Sequence, residues 1–204
     1  MTKNKKGFTI IEVVLVLAIA GLIFLMVFIA IPALQRSQRN TRRRQDMARI
    51  LSALNDYQSN NNGRMPTKAA EMQTFVTRYA SGDSSAVAEL YTVTGYQAGY
   101  RVKKSSSDAS CLDQFCDPDG NSYLITMPHT VSTSGGAGAT AGTKNPYYGN
   151  ASRKEEEMTH IIHYWTKAKC DDDSEDQIVM TSGSAEIAIA YYLEGGAVYC
   201  GDNQ

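Results

Sequence analysis

Between Val13 and Leu34 no side chain carries a charge, and only Gly21 and Pro32 depart from apolar bulk. About twenty apolar residues at 1.5 Å rise are enough to cross a bilayer core. This run therefore constrains everything else the chain can do. It is too long for a secretory signal peptide, whose apolar region spans roughly 7–15 residues before a small-residue cleavage site. Ala30, Ile31 and Pro32 do not form such a site. A plain membrane anchor would satisfy the length, but it leaves Glu12 unexplained. That carboxylate stands near the start of the run, five residues after Gly7. An ionisable group inside a spanning segment costs several kcal/mol unless it is paired, and is read as functional by default.

Ahead of the run stand Lys3, Lys5 and Lys6, then Gly7, Phe8, Thr9, Ile10, Ile11 and Glu12. This order resembles the precursor of a type IV pilin or a type II secretion pseudopilin, over roughly the first fifty residues. The resemblance implies that a membrane-bound prepilin peptidase cuts after Gly7 and N-methylates Phe8. It implies that Glu12 neutralises the terminal amine of a neighbouring subunit. A buried amine and a buried carboxylate are each costly alone, and pairing them sets the stagger between subunits. The partners implied are identical or related pilin subunits, the peptidase, an inner-membrane assembly platform, and the lipid bilayer before assembly. No cofactor is implied. Pro32 departs from the pattern, lying about one helical turn later than the usual pilin proline, so a kink there would sit further along the helix.

The expected organisation is a leader over residues 1–7, an assembly helix over 8–60 and an extracytoplasmic head over 61–204. The fold class is α+β: a long N-terminal helix, transmembrane then amphipathic, packed on a small antiparallel sheet. The 204 residues suffice for one domain plus an anchor. A net charge of -1 names no partner. Mean hydropathy is -0.31 despite the apolar run, so the remainder is polar.

All four cysteines, Cys111, Cys116, Cys170 and Cys200, lie beyond the membrane run. An even number in an exported region reads as two disulfides, with three connectivities open. Cys111–Cys116 with Cys170–Cys200 is the favoured set. The first closes a short loop, and the second ties the chain end back to a strand, as in many pilins. Zinc would want C-x2-C pairs, whereas the spacing here is C-x4-C with the other two cysteines thirty residues apart.

One feature argues against this orientation. Arg36, Arg39, Arg42, Arg43 and Arg44 outnumber the three leader lysines, and charge bias alone would put that flank in the cytoplasm. The cleavage junction, the cysteines and Glu12 outweigh it. These arginines read as a solvated helix face near headgroups.

Met47, Ile50, Leu51, Leu54 and Tyr57 fall on one helical face that should pack on the head, while Arg43, Arg44, Asp46, Arg49 and Asp56 mostly fall elsewhere. Asn60 to Gly63 stops the helix. Thr67 is placed to cap a second helix reaching about Tyr79, and 86–91 reads as a further helical turn or two. Residues 92–102 read as a loop or weak edge strand. Asp117-Pro118-Asp119-Gly120 is a turn signal, because proline fixes φ and glycine accepts φ > 0. Asp113, Asp117, Asp119 and Asn121 also offer oxygens at alternate positions, loosely like a calcium loop, although the bidentate glutamate of an EF-hand is missing. Strands follow over 123–127, 161–166, 186–193 and 197–200, the last two joined by Gly195-Gly196, giving an antiparallel sheet of about four. Residues 132–143 read as a flexible surface loop and 171–176 as a solvated acidic one.

His160 and His163 are spaced His-x-x-His without the H-E-x-x-H pattern. On a strand they face opposite ways and cannot share a metal. No nucleophile–base set accompanies the three histidines, so the chain is expected not to be an enzyme. The expectation is a structural subunit of a type IV pilus, with adhesion, twitching and DNA uptake as the roles open to such a filament. A pseudopilin or minor pilin is the alternative within the same machinery, and a single-span anchored binding or sensor protein is the alternative outside it. The expected location is the cell membrane, single-pass with the head outside, then the surface pilus.

Overall fold

A computed structural model of the chain describes residues 7–91, 99–112, 115–126, 144–146, 160–183 and 185–204. Two compact units are present, Met1–Arg39 and Asn40–Gln204.

Helix α1 (Ile10–Asn60) runs through both. In the first unit it is apolar on every side: Ile10, Phe24, Phe28 and Ile29 are all exposed. Pro32 lies inside the helix and does not end it.

In the second unit α1 changes character. Met47, Ile50, Ala53, Leu54 and Tyr57 are buried, and Leu51 packs at their margin. Spacings of three and four residues bring these side chains onto one face. Burying each of the larger ones contributes about 1.5–3 kcal/mol. The helix stops where Asn62 (φ 55°) and Gly63 (φ 74°) turn left-handed. The Gly63 N–H donates back to the Gln58 carbonyl at 2.9 Å, closing the last turn in the manner of a Schellman motif.

Helix α2 (Ala69–Thr74) follows and passes directly into a π-helical stretch, Phe75–Ala80. Lys68, rather than Thr67, holds the cap position. The N-terminus is closed by Glu71, whose carboxylate accepts from the Thr67 and Lys68 N–H groups at 2.8 and 3.1 Å. Phe75 and Tyr79 meet the Tyr57 ring edge-on, at 6.1 and 5.2 Å.

Six strands form the main sheet, in the order β1 (Val87–Tyr91), β2 (Gly99–Lys103), β3 (Leu124–Thr126), β5 (Ile161–Thr166), β8 (Ile187–Tyr192) and β9 (Val198–Asp202). A second sheet has the order β4 (Lys144–Pro146), β7 (Ser174–Met180), β6 (Ala168–Asp171). Three expectations need correction here. Residues 87–91 are an edge strand rather than helical turns, because Val87 to Tyr91 pair along their whole length with Lys103 to Gly99. The acidic stretch is a hairpin: only residues 172–173 turn, and β6 and β7 pair on either side. The sheet is mixed, since β3 and β5 run parallel, Leu124 opposite Ile161. Parallel neighbours need a crossover of a dozen or more residues, and residues 127–160 supply that length. The expected loop over 132–143 lies outside the described residues.

Strand β8 is buried on both faces. Ile187, Ile189 and Tyr191 join the core containing Met47, Leu54 and Phe75, whereas Ala188, Ala190 and Tyr192 join a smaller core with Ile178 and Met180. Period-two alternation thus serves two hydrophobic layers at once. Disulfides join Cys111 to Cys116 and Cys170 to Cys200. The second ties β6 to β9, across the two sheets.

Candidate functional site

The N-terminal site begins with residues 7–9 in non-helical backbone. A side chain added at Gly7 would meet nothing within 4 Å, so no internal contact demands glycine there. Phe8 is 89 % exposed. Thr9 is the residue immediately before α1 and Glu12 is the third residue of its first turn. The Thr9 N–H and hydroxyl both donate to Glu12 Oε2 at 3.0 Å, and the Glu12 N–H donates back to Thr9 Oγ1 at 3.4 Å. Threonine followed three residues on by glutamate is the capping-box arrangement, which satisfies otherwise orphaned donors of the first turn. Glu12 therefore has a local role, helix initiation, alongside any role between subunits. Only Oε2 is used in these bonds, leaving Oε1 for an outside donor. Phe8, Glu12, Val13, Val16 and Leu17 line an open, mostly apolar notch of about 400 Å³ beside the carboxylate.

An 18-residue window of α1 reaches a mean hydropathy of 3.2 with none of it buried within the chain. Such a surface is stable only in lipid or against other apolar helices.

Residues 2–28 match the family model of the prokaryotic N-terminal methylation motif. The chain carries the type IV pilin and pseudopilin leader signature. No curated protein and no solved structure matches the chain. The leader signature implies processing by a prepilin peptidase, and the apolar helix is long enough to anchor the protein in a membrane.

Behind the leader and its helix, the head contains a site that hydrophobic periodicity missed. Arg43 is fully buried, not on a solvated face as its sequence setting suggested. Its Nε and Nη2 donate to the two oxygens of Asp117 at 2.6 and 2.9 Å. Nη2 also reaches Asp119 at 2.5 Å, and Nη1 reaches Glu194 at 2.6 Å. Asn40 accepts from Nη1 at 3.3 Å, and its amide bridges to the Glu194 backbone in both directions. One guanidinium thus clamps the Asp-Pro-Asp-Gly turn and the β8–β9 turn onto α1. The planar five-donor fork of arginine suits this task and an ammonium would not. Burial acts to lower the Arg43 pKa, but the bonds to Asp117 and Glu194 and the surrounding negative charge outweigh it and keep the group charged.

Next to this clamp, Tyr191 donates to Asp117 at 3.1 Å and Tyr123 donates to Asp46 at 2.9 Å. Arg49 holds the other Asp46 oxygen at 2.7 Å. Burial pushes the Asp46 carboxyl up, against the pull of Tyr123 and Arg49. The two tyrosine hydroxyls are pushed up chiefly by burial and then by the adjacent carboxylates.

Of the four calcium-candidate residues, this arrangement engages two. Asp113 lies outside the described residues. The Asp117 and Asp119 oxygens face Arg43, and Asn121 contributes its backbone carbonyl to the Asp117 N–H at 2.8 Å, closing the turn. The guanidinium already supplies a counter-charge to Asp117 and Asp119. Among the described residues no group of three metal-ligating side chains assembles. His160 lines a cavity of about 300 Å³ with Arg101 and Asn121. His163, by contrast, is buried on β5 opposite Ala190 and stacked near Trp165.

Proposed function

We propose that this protein is a structural subunit of a type IV pilus, working by assembly and not by catalysis. The observation that carries the reading is a single carboxylate, one turn after a leader junction, at the entry of a helical stretch that is uncharged from Val13 to Leu34 and uncovered within the chain. Cleavage after Gly7 would free an amine on Phe8. The spare oxygen of Glu12 would accept that amine from the adjacent subunit while Oε2 keeps the helix capped. Lipid contacts of α1 would then be exchanged for contacts between helices. The open space around Gly7 supports a further point: the demand for glycine comes from the peptidase and not from the fold.

Mass spectrometry of the N-terminus of the membrane-purified protein tests this directly. Methyl-phenylalanine at Phe8 is expected. A chain that retains residues 1–7 would instead be a single-span anchored binding protein, and the pilin reading would fail. A pseudopilin or minor pilin shares the processing. Its mark would be scarcity in sheared surface filaments, where a major pilin is abundant.

A further inference from the structure

The C-terminal end of α1 opens onto a cavity of about 600 Å³ between the helix stop, the start of α2 and the β5–β6 corner. Arg64, Lys68 and Lys167 all line it, and among the described residues none of the three makes an ion pair closer than 4 Å. Glu71 is the single carboxylate in the lining, held ionised by the Thr67 and Lys68 N–H groups that it caps, so three cations face one anion. The cavity is therefore net cationic.

Its backbone is also unusual. Asn62 and Lys167 are the two non-glycine residues with positive φ among the described residues, at 55° and 59°, and both line this cavity. Asparagine visits that region readily, whereas lysine does so at a cost that the surrounding structure must impose. Here the corner is held from both sides, since the Lys167 N–H donates to the Glu186 carbonyl and its own carbonyl accepts from Thr181, each at 2.7 Å. Such enforced conformations concentrate at ligand sites. Asn60, Asn61 and Asn62 add side-chain amides to the wall. The amides of Asn60 and Asn61 each use an NH2 group on an α1 carbonyl, at 2.7 Å, which leaves their oxygens to accept.

We propose that this cavity binds an acidic saccharide. Three cations select a carboxylate, and a row of amide oxygens reads the hydroxyls beside it. The volume is in the usual range for a small-ligand site. A single-stranded nucleic acid would want exposed aromatic platforms along its path. The one aromatic residue of the lining, Tyr57, is only 4 % exposed.

The test is isothermal titration of the full chain in detergent with trigalacturonic acid, with its carboxyl-reduced neutral counterpart, and with oligothymidylate. Saturable binding of the uronate, weakened by added salt, is expected, with none for the neutral sugar. The double substitution Arg64→Ala, Lys68→Ala should weaken binding by at least tenfold, about the effect of one lost charge-assisted hydrogen bond, with an unchanged melting point. Lys167→Ala should weaken it too. No saturable uronate binding at millimolar concentration, binding indifferent to these substitutions, or a preference for the oligothymidylate would each overturn the assignment.

Discussion

Replacing Arg43 with methionine should be among the most destabilising single changes in the head. Methionine keeps much of the length and apolar stem but removes every donor. Asp117, with 1 % of its side chain exposed, would lose its bidentate partner, and Glu194, at 18 %, would lose its ion pair. Removing one member of a buried ion pair costs roughly 3–5 kcal/mol, because the charge left behind has neither water nor partner. Asp119 is 44 % exposed and solvent screens it, so its share is small. For a unit of this size the loss corresponds to a melting point lower by about 10 °C, readable by circular dichroism of the full chain in detergent. The pH dependence supplies a second arm. The Asp119 carboxyl already sits above its ordinary pKa, through burial and the neighbouring Asp117, with Arg43 as an opposing influence. Without Arg43 it rises further. A carboxyl whose folded pKa exceeds its unfolded value of about 3.9 is penalised when ionised, and the penalty shrinks as pH falls through the folded pKa. The gap between variant and parent should therefore be widest at neutral pH and narrow toward pH 4. A variant melting within about 2 °C of the parent at neutral pH would refute this account, since that is the effect of an ordinary surface change.

Glu12→Gln should retain the helix cap, because glutamine also completes a capping box, yet lose the charge that meets the freed amine. Glu12→Ala should lose both. Negative-stain microscopy should find no filaments from either, with N-terminal processing intact in both, and normal filaments from Glu12→Gln would discard the charge-pairing role. Opening Cys170–Cys200, which spans thirty residues, should cost roughly 3.5 kcal/mol against roughly 2 for Cys111–Cys116, if loop entropy dominates. Denaturant titrations of the two serine pairs would rank them. Gly99→Ala would put a methyl 2.7 Å from the Ile125 carbonyl oxygen. Since backbone cannot give way cheaply, a loss of about 1–3 kcal/mol is expected, checked by the same titration.

The sequence was most legible where one physical signal acted alone. An uncharged run longer than a bilayer core could only be a long exposed helix. The spacing of Met47, Ile50, Leu54 and Tyr57 announced its packed face, and a β-branched and aromatic run followed by paired glycines announced the β8–β9 hairpin. Legibility failed where the deciding partner lay far away. Residues 87–91 contain alanine, glutamate and leucine, good helix formers, but β2 offered them an edge. The string 171–176 looked solvated because its pairing across a two-residue turn leaves no hydrophobic trace. Arg43 and Asp46 escape the helical pattern because periodicity counts apolar residues. Their partners stand 74 and 77 positions downstream, and nothing local hints at them. The remaining available signal was the Asp-Pro-Asp-Gly turn itself, whose two carboxylates needed a counter-charge from somewhere.

The guanidinium clamp also fixes when the head can be complete. Its last carboxylate, Glu194, stands 151 positions after Arg43. During synthesis Arg43 has to wait for that residue before its third anion exists. A chain interrupted between the two would leave the seam between α1 and the β8–β9 turn unsealed, so closure of the clamp is a late event in folding.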